Sequence, residues 1–137
     1  EGDKSRILQI FKQSNWLMLT ISTTVCLALF FLAEIILSLF GQEFSKGSTI
    51  LKIILPSVFI RMISIPYVSF LSGTEYVIYP NIGGIVILVT SLISWITLVP
   101  SFHLTGIAIG YTIGITIGIG YQIIVALIKI KTFHNVS

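Results

Sequence analysis

The chain has 137 residues, 55% of them apolar and 9% charged, against about 25% charged in a soluble globular domain. That composition excludes a water-soluble fold. The net charge of +3 rests mainly on Lys4, Arg6, Lys12, Lys129 and Lys131 near the two ends, which leaves no basic face and no expectation of a nucleic-acid partner. At ~20 apolar residues per crossing plus short loops, the length fits about four crossings. The expectation is an all-α membrane protein: a single domain over residues 1–137, four antiparallel up-down transmembrane helices, and the lipid bilayer as first partner.

Glu1 to Lys12 is polar and mixed in charge, without an initiator Met and without a small-residue cleavage motif after the apolar run that follows. This opposes a cleaved signal peptide. It reads like the middle of a cytoplasmic loop, and the expectation is that it opens the carboxy-terminal part of a longer protein. The first span is expected at about 16–40, because Trp16 to Phe40 is long enough to cross with some tilt. Gly41 to Gly47, glycine at each end and charges between, reads as a wet turn. Ser48 is placed to cap the next helix.

The second span, about 48–71, holds Lys52, Pro56, Arg61 and Pro66. Each proline removes a backbone donor and crowds the carbonyl four residues earlier, so kinks or hinges are expected on both sides of Arg61. After a turn at Ser72 to Glu75 the third span is expected at about 76–99, with Gly83-Gly84 as a point of close approach. Between Glu75 and Lys129 the sequence has no charged residue. Pro100 to Gly106 is expected to break that stretch, and the fourth span is placed at about 107–128, ended by Lys129 and Lys131. Both ends are basic, so both termini are assigned to the cytoplasm of a multi-pass cell-membrane protein. Trp16, Tyr76, Tyr79, Trp95 and Tyr121 fall near span ends, where amphipathic rings meet headgroups.

Arg61 lies about thirteen residues into its span, which at ~1.5 Å per residue puts it near mid-membrane. A charge there costs roughly 2.5–3.5 kcal/mol on insertion scales, so it needs a carboxylate, a watery cavity or an anionic ligand. Phosphate suits guanidinium, which holds two oxygens at once. Glu34 and Lys52 reach similar depths in an antiparallel hairpin, which suggests a structural ion pair, with substrate contact by Lys52 as the weaker reading. Gly106, Gly110, Gly114 and Gly118 fall on one helix face, a packing groove for another span or a sliding surface. His103 and His134 have no Cys, Asp or Glu at ligand spacing, so no metal site and no cofactor is expected. No catalytic constellation is present, and an enzyme is not expected.

Ala33-Glu34-Ile35-Ile36-Leu37-Ser38-Leu39-Phe40-Gly41-Gln42-Glu43-Phe44, continuing through Ser48 to Leu55, resembles the helix, Phe-Gly turn and next helix in the carboxy-terminal half of polysaccharide biosynthesis flippases. These belong to the multidrug, oligosaccharidyl-lipid and polysaccharide exporter superfamily. Leu98 to Gly110 looks like that family's outer turn entering a last Gly- and Ala-rich helix, and Gly2-Asp3-Lys4 like its loop before the ninth helix. The resemblance implies helices nine to twelve of a two-lobed protein that moves a lipid-diphosphate-linked sugar by alternating access. Amino-terminal helices would then be partners, and this chain alone would not transport. The turn near Gly73 lacks a basic residue often found there. Two alternatives stay open: a cation-coupled multidrug exporter of the same superfamily, which wants a deep carboxylate where Glu34 is shallow, and a small four-helix scaffold that oligomerises through its glycines.

Overall fold

The computed structural model describes the backbone of residues 2–41 and 47–135 and the side chains of 6–41 and 47–132. Those residues form three helical elements and no strand: α1 (Gly2–Ser38), α2 (Ser48–Ser72) and α3 (Ile78–Asn135). Each holds a stretch long and apolar enough to cross a membrane, Arg6–Ser38, Ser48–Ser72 and Ile78–Thr132. The sequence leads one to expect four separate helices; α3 takes in both the third and the fourth.

α1 starts at Gly2, well before the Trp16 at which its span is expected. Nothing in Asp3 to Asn15 breaks a helix, so the charged opening turns stay helical. Its 37 residues rise ~55 Å, well beyond a ~30 Å hydrocarbon core, so the turns with Arg6 and Lys12 extend past the apolar stretch. The helix ends where Phe40 N–H donates to Leu37 O and Gly41 N–H to Ser38 O, both at 3.1 Å. Gly41 has φ 124°, a backbone angle that favours glycine. Residues 42–46 of the expected Gly41 to Gly47 turn lie outside the described residues.

Ser48 does not cap α2. Gly47 takes the cap position with helical angles (φ −72°, ψ −11°) and no side chain caps the end, which makes Ser48 the first helical residue. α2 continues through Pro56 and Pro66 to Ser72. Its buried hydroxyls bond to their own helix, Ser57 Oγ donating to Ile54 O at 2.6 Å and Ser64 Oγ to Arg61 O at 2.7 Å. Self-satisfaction of this kind lets serine sit inside a bundle with no water.

In α3 the expected turn over residues 100–106 is reduced to one non-helical residue, His103, at φ 50°, ψ −125°. Those angles fit the first central position of a type II′ turn, which reverses a chain within four residues and leaves helix close on either side. The contacts show the reversal. Gly83 lies against Gln122, Ile87 against Gly114 and Gly118, Trp95 against Gly110, and Leu98 against Gly106, so the stretches on either side of His103 run antiparallel. The helix also continues past Lys129 and Lys131 to Asn135, because two lysines spaced i,i+2 do not stop a helix.

α2 lies in the middle, with α1 and α3 each packed on it. α1 runs antiparallel to it, as the pairs Glu34 with Lys52 and Phe11 with Tyr67 require. The second half of α3 runs parallel to it: Thr112 Oγ1 donates to Ile53 O at 3.1 Å, and Phe70 and Leu71 pack on Ala126. That last cluster, joined by Phe11, Tyr67, Tyr76 and Tyr79, forms the hydrophobic core at the end near the residue 73–77 turn. Elsewhere large apolar side chains such as Phe31 and Ile96 point outward, as in a protein solvated by lipid.

Candidate functional site

A groove of about 660 Å³ runs between α2 and α3. α2 supplies Arg61, Ser64 and Ser69; the first half of α3 supplies Asn81, Ser91 and Trp95; the second half supplies Tyr111 and Gln122. Arg61, Ile65 and Ser69 share a face because residues four apart stack on a helix. Arg61 is exposed, thirteen residues from the start of α2 and eleven from its end, or ~20 Å and ~16 Å along the axis. Among the described residues no carboxylate lines the groove and no ion pair holds the guanidinium.

Lys52 lies elsewhere. Its Nζ donates to Glu34 Oε1 at 2.9 Å and sits 5.6 Å from the centre of the Phe30 ring, on the α1 side of α2. The structure therefore brings Lys52 to Glu34 and does not bring it to Arg61.

All four glycines face the first half of α3. A Cβ on Gly106 would meet Leu98 O at 2.6 Å, on Gly110 Trp95 Cδ1 at 2.6 Å, on Gly114 Ile87 O at 3.0 Å, and on Gly118 Gly83 O at 2.9 Å. Two backbones touch along this seam, which only glycine allows. Ser91 Oγ is buried over Gly114 with no hydrogen bond among the described residues. The Gly114 Cα–H beneath it can supply a weak donor.

Two polar clasps close the seam, and neither was anticipated. Gln122 Nε2 donates to Pro80 O at 2.9 Å, in space left by the missing side chain of Gly83. Trp95 Nε1 donates to Ile107 O at 3.0 Å. Gln122 could have been found, since it continues the four-residue spacing of 106, 110, 114 and 118. Nothing in the sequence singles out Trp95 or Tyr111 as groove residues. At the opposite end from His103, Lys129 Nζ sits 4.7 Å from the Tyr76 ring centre and 5.4 Å from that of Tyr79, an attraction of charge to ring faces that braces the turn.

The arrangement is an amphiphilic slot, apolar on its aliphatic walls, with Arg61, unpaired among the described residues, and several uncharged hydrogen-bonding groups. A family model described as MatE matches residues 1–97, which takes in α1, α2 and the first part of α3. The chain belongs to the MatE family. MatE proteins fall within the multidrug, oligosaccharidyl-lipid and polysaccharide exporter superfamily, whose resemblance the sequence carries, and they are transporters rather than enzymes. This MatE protein is accordingly a multi-pass membrane protein. Comparisons with curated proteins and with solved structures found no match.

Proposed function

We propose that this MatE protein takes part in moving an anionic, lipid-linked oligosaccharide or polysaccharide precursor across the cell membrane by alternating access, with Arg61 contacting the phosphate. One observation carries the reading: a guanidinium deep in an apolar helix, open to a groove and unpaired among the described residues. Leaving it so is costly in lipid unless an anion or water reaches it. The alternative is a cation-coupled multidrug exporter of the same superfamily, which calls for a deep carboxylate to bind the cation. Lys52 is spent on Glu34 and is a poor second candidate.

In the same reading the chain crosses the membrane four times, up and down, with the two halves of α3 as the third and fourth crossings and both termini in the cytoplasm. These helices form part of one lobe of a two-lobed transporter, resembling helices nine to twelve. The glycine seam makes the α3 hairpin one rigid unit, and Pro56 and Pro66 let the Arg61 segment of α2 move against it. The test is Arg61→Gln at the native locus, with translocation of the lipid-linked sugar measured in inverted membrane vesicles. Loss of transport at unchanged protein level is the expected result; transport at the unmodified rate leaves Arg61 a structural residue.

A further inference from the structure

We propose that the Trp95 end of the groove is a stacking platform for a sugar ring, with the Tyr111 hydroxyl as its hydrogen-bonding flank. The inference rests on the proposed lipid-linked saccharide as cargo and adds how its sugar is held apart from its phosphate.

Trp95 is fixed in place. Its only polar atom is used on Ile107 O at 3.0 Å, and the ring lies directly on Gly110, where a Cβ would meet Cδ1 at 2.6 Å. With that nitrogen used, what Trp95 offers the groove is apolar ring surface held in place, so binding to it loses little side-chain freedom. Tyr111, next in sequence to Gly110, lines the same groove, and its hydroxyl makes no hydrogen bond among the described residues. A pyranose presents axial C–H groups on a face and hydroxyls around its edge. It matches an aromatic ring beside a hydroxyl, whereas a lipid tail would pack on the ring and leave the polar flank unused.

The spacing to Arg61 also fits. Thr112, two residues after Gly110, meets Ile53 on α2, and Arg61 lies eight residues further along, ~12 Å away on the axis. A diphosphate followed by one or two sugar rings spans such a gap. Arg61 then takes the linkage common to every such carrier, and Trp95 reads whether a saccharide is attached.

The experiment uses the full chain in lipid nanodiscs and two radiolabelled probes, a polyprenyl diphosphate and the same lipid bearing a disaccharide. Trp95→Leu is expected to weaken the sugar-bearing probe roughly three- to tenfold and leave the sugar-free one unchanged. Trp95→Phe, which keeps a ring and loses the bond to Ile107, retains most of the affinity and so separates stacking from misfolding. Tyr111→Phe weakens the sugar-bearing probe alone, by less. With Trp16→Phe leaving Trp95 as the sole tryptophan among residues 1–137, its emission shifts with the sugar-bearing probe only. Equal loss for both probes, or no loss for either, overturns the platform and leaves the Arg61 reading standing. Failure of the unsubstituted protein to bind either probe overturns both.

Discussion

Gly118 and Gly120 stand two residues apart on the second half of α3, and their surroundings dictate opposite responses to the same substitution. A Cβ at Gly118 would overlap the Ile87 side chain and lie 2.9 Å from Gly83 O and 3.0 Å from Ile87 N, whereas at Gly120 it would find nothing within 4 Å. Backbone atoms cannot rotate aside, so Gly118→Ala must part the hairpin by about 0.5 Å to restore the 3.4 Å of ordinary contact. Overpacking of this kind costs about 1–3 kcal/mol. Gly120→Ala is expected to be neutral or to stabilise by up to about 1 kcal/mol, since it gains only helix propensity. Taking Gly120→Ala as the reference removes that propensity from the comparison. Reversible unfolding in mixed micelles, followed by circular dichroism along a dodecyl sulfate titration, measures the difference. Midpoints for the two variants that agree within error would refute the close-packed seam.

The same titration checks three further expectations. His103→Gly should stabilise by about 1 kcal/mol, because φ 50° strains a side-chain-bearing residue and suits glycine. Gln122→Leu should destabilise by about 0.6 and at most about 1.7 kcal/mol, the measured range for hydrogen bonds between membrane helices. For Glu34 and Lys52, whose side chains are 68% and 34% exposed, a double-mutant cycle of Glu34→Gln and Lys52→Gln should give a coupling below about 1 kcal/mol.

What the sequence revealed followed from patterns that repeat. The long charge-free stretch fixes a membrane protein whatever its details, and glycines four apart mark a face because the helix period makes them neighbours. Glu34 and Lys52 could be matched in depth since both are counted from one turn. The break in α3 was harder to read. Pro100 and His103 suggested a loop, yet the reversal uses one residue with angles that glycine ordinarily supplies, and histidine gives no sign of it. Ser48 looked like a cap because its side chain suits that role, but Gly47 had already entered the helix. The groove residues Trp95 and Tyr111 come from different strokes of the hairpin, and their meeting depends on a register set by the glycine seam. That register follows from packing, which no local pattern encodes.

For Arg61 to meet an anion, the middle of α2 must open onto a groove that water reaches. The most direct test is the reaction of Arg61→Cys, in a Cys26→Ala background, with a membrane-impermeant methanethiosulfonate reagent in native vesicles. The thiol introduced at position 61 is expected to be labelled at least tenfold faster than one introduced by Ile96→Cys, which points outward, and to be protected by a lipid-linked sugar diphosphate. Labelling at position 61 as slow as at position 96 would contradict that opening.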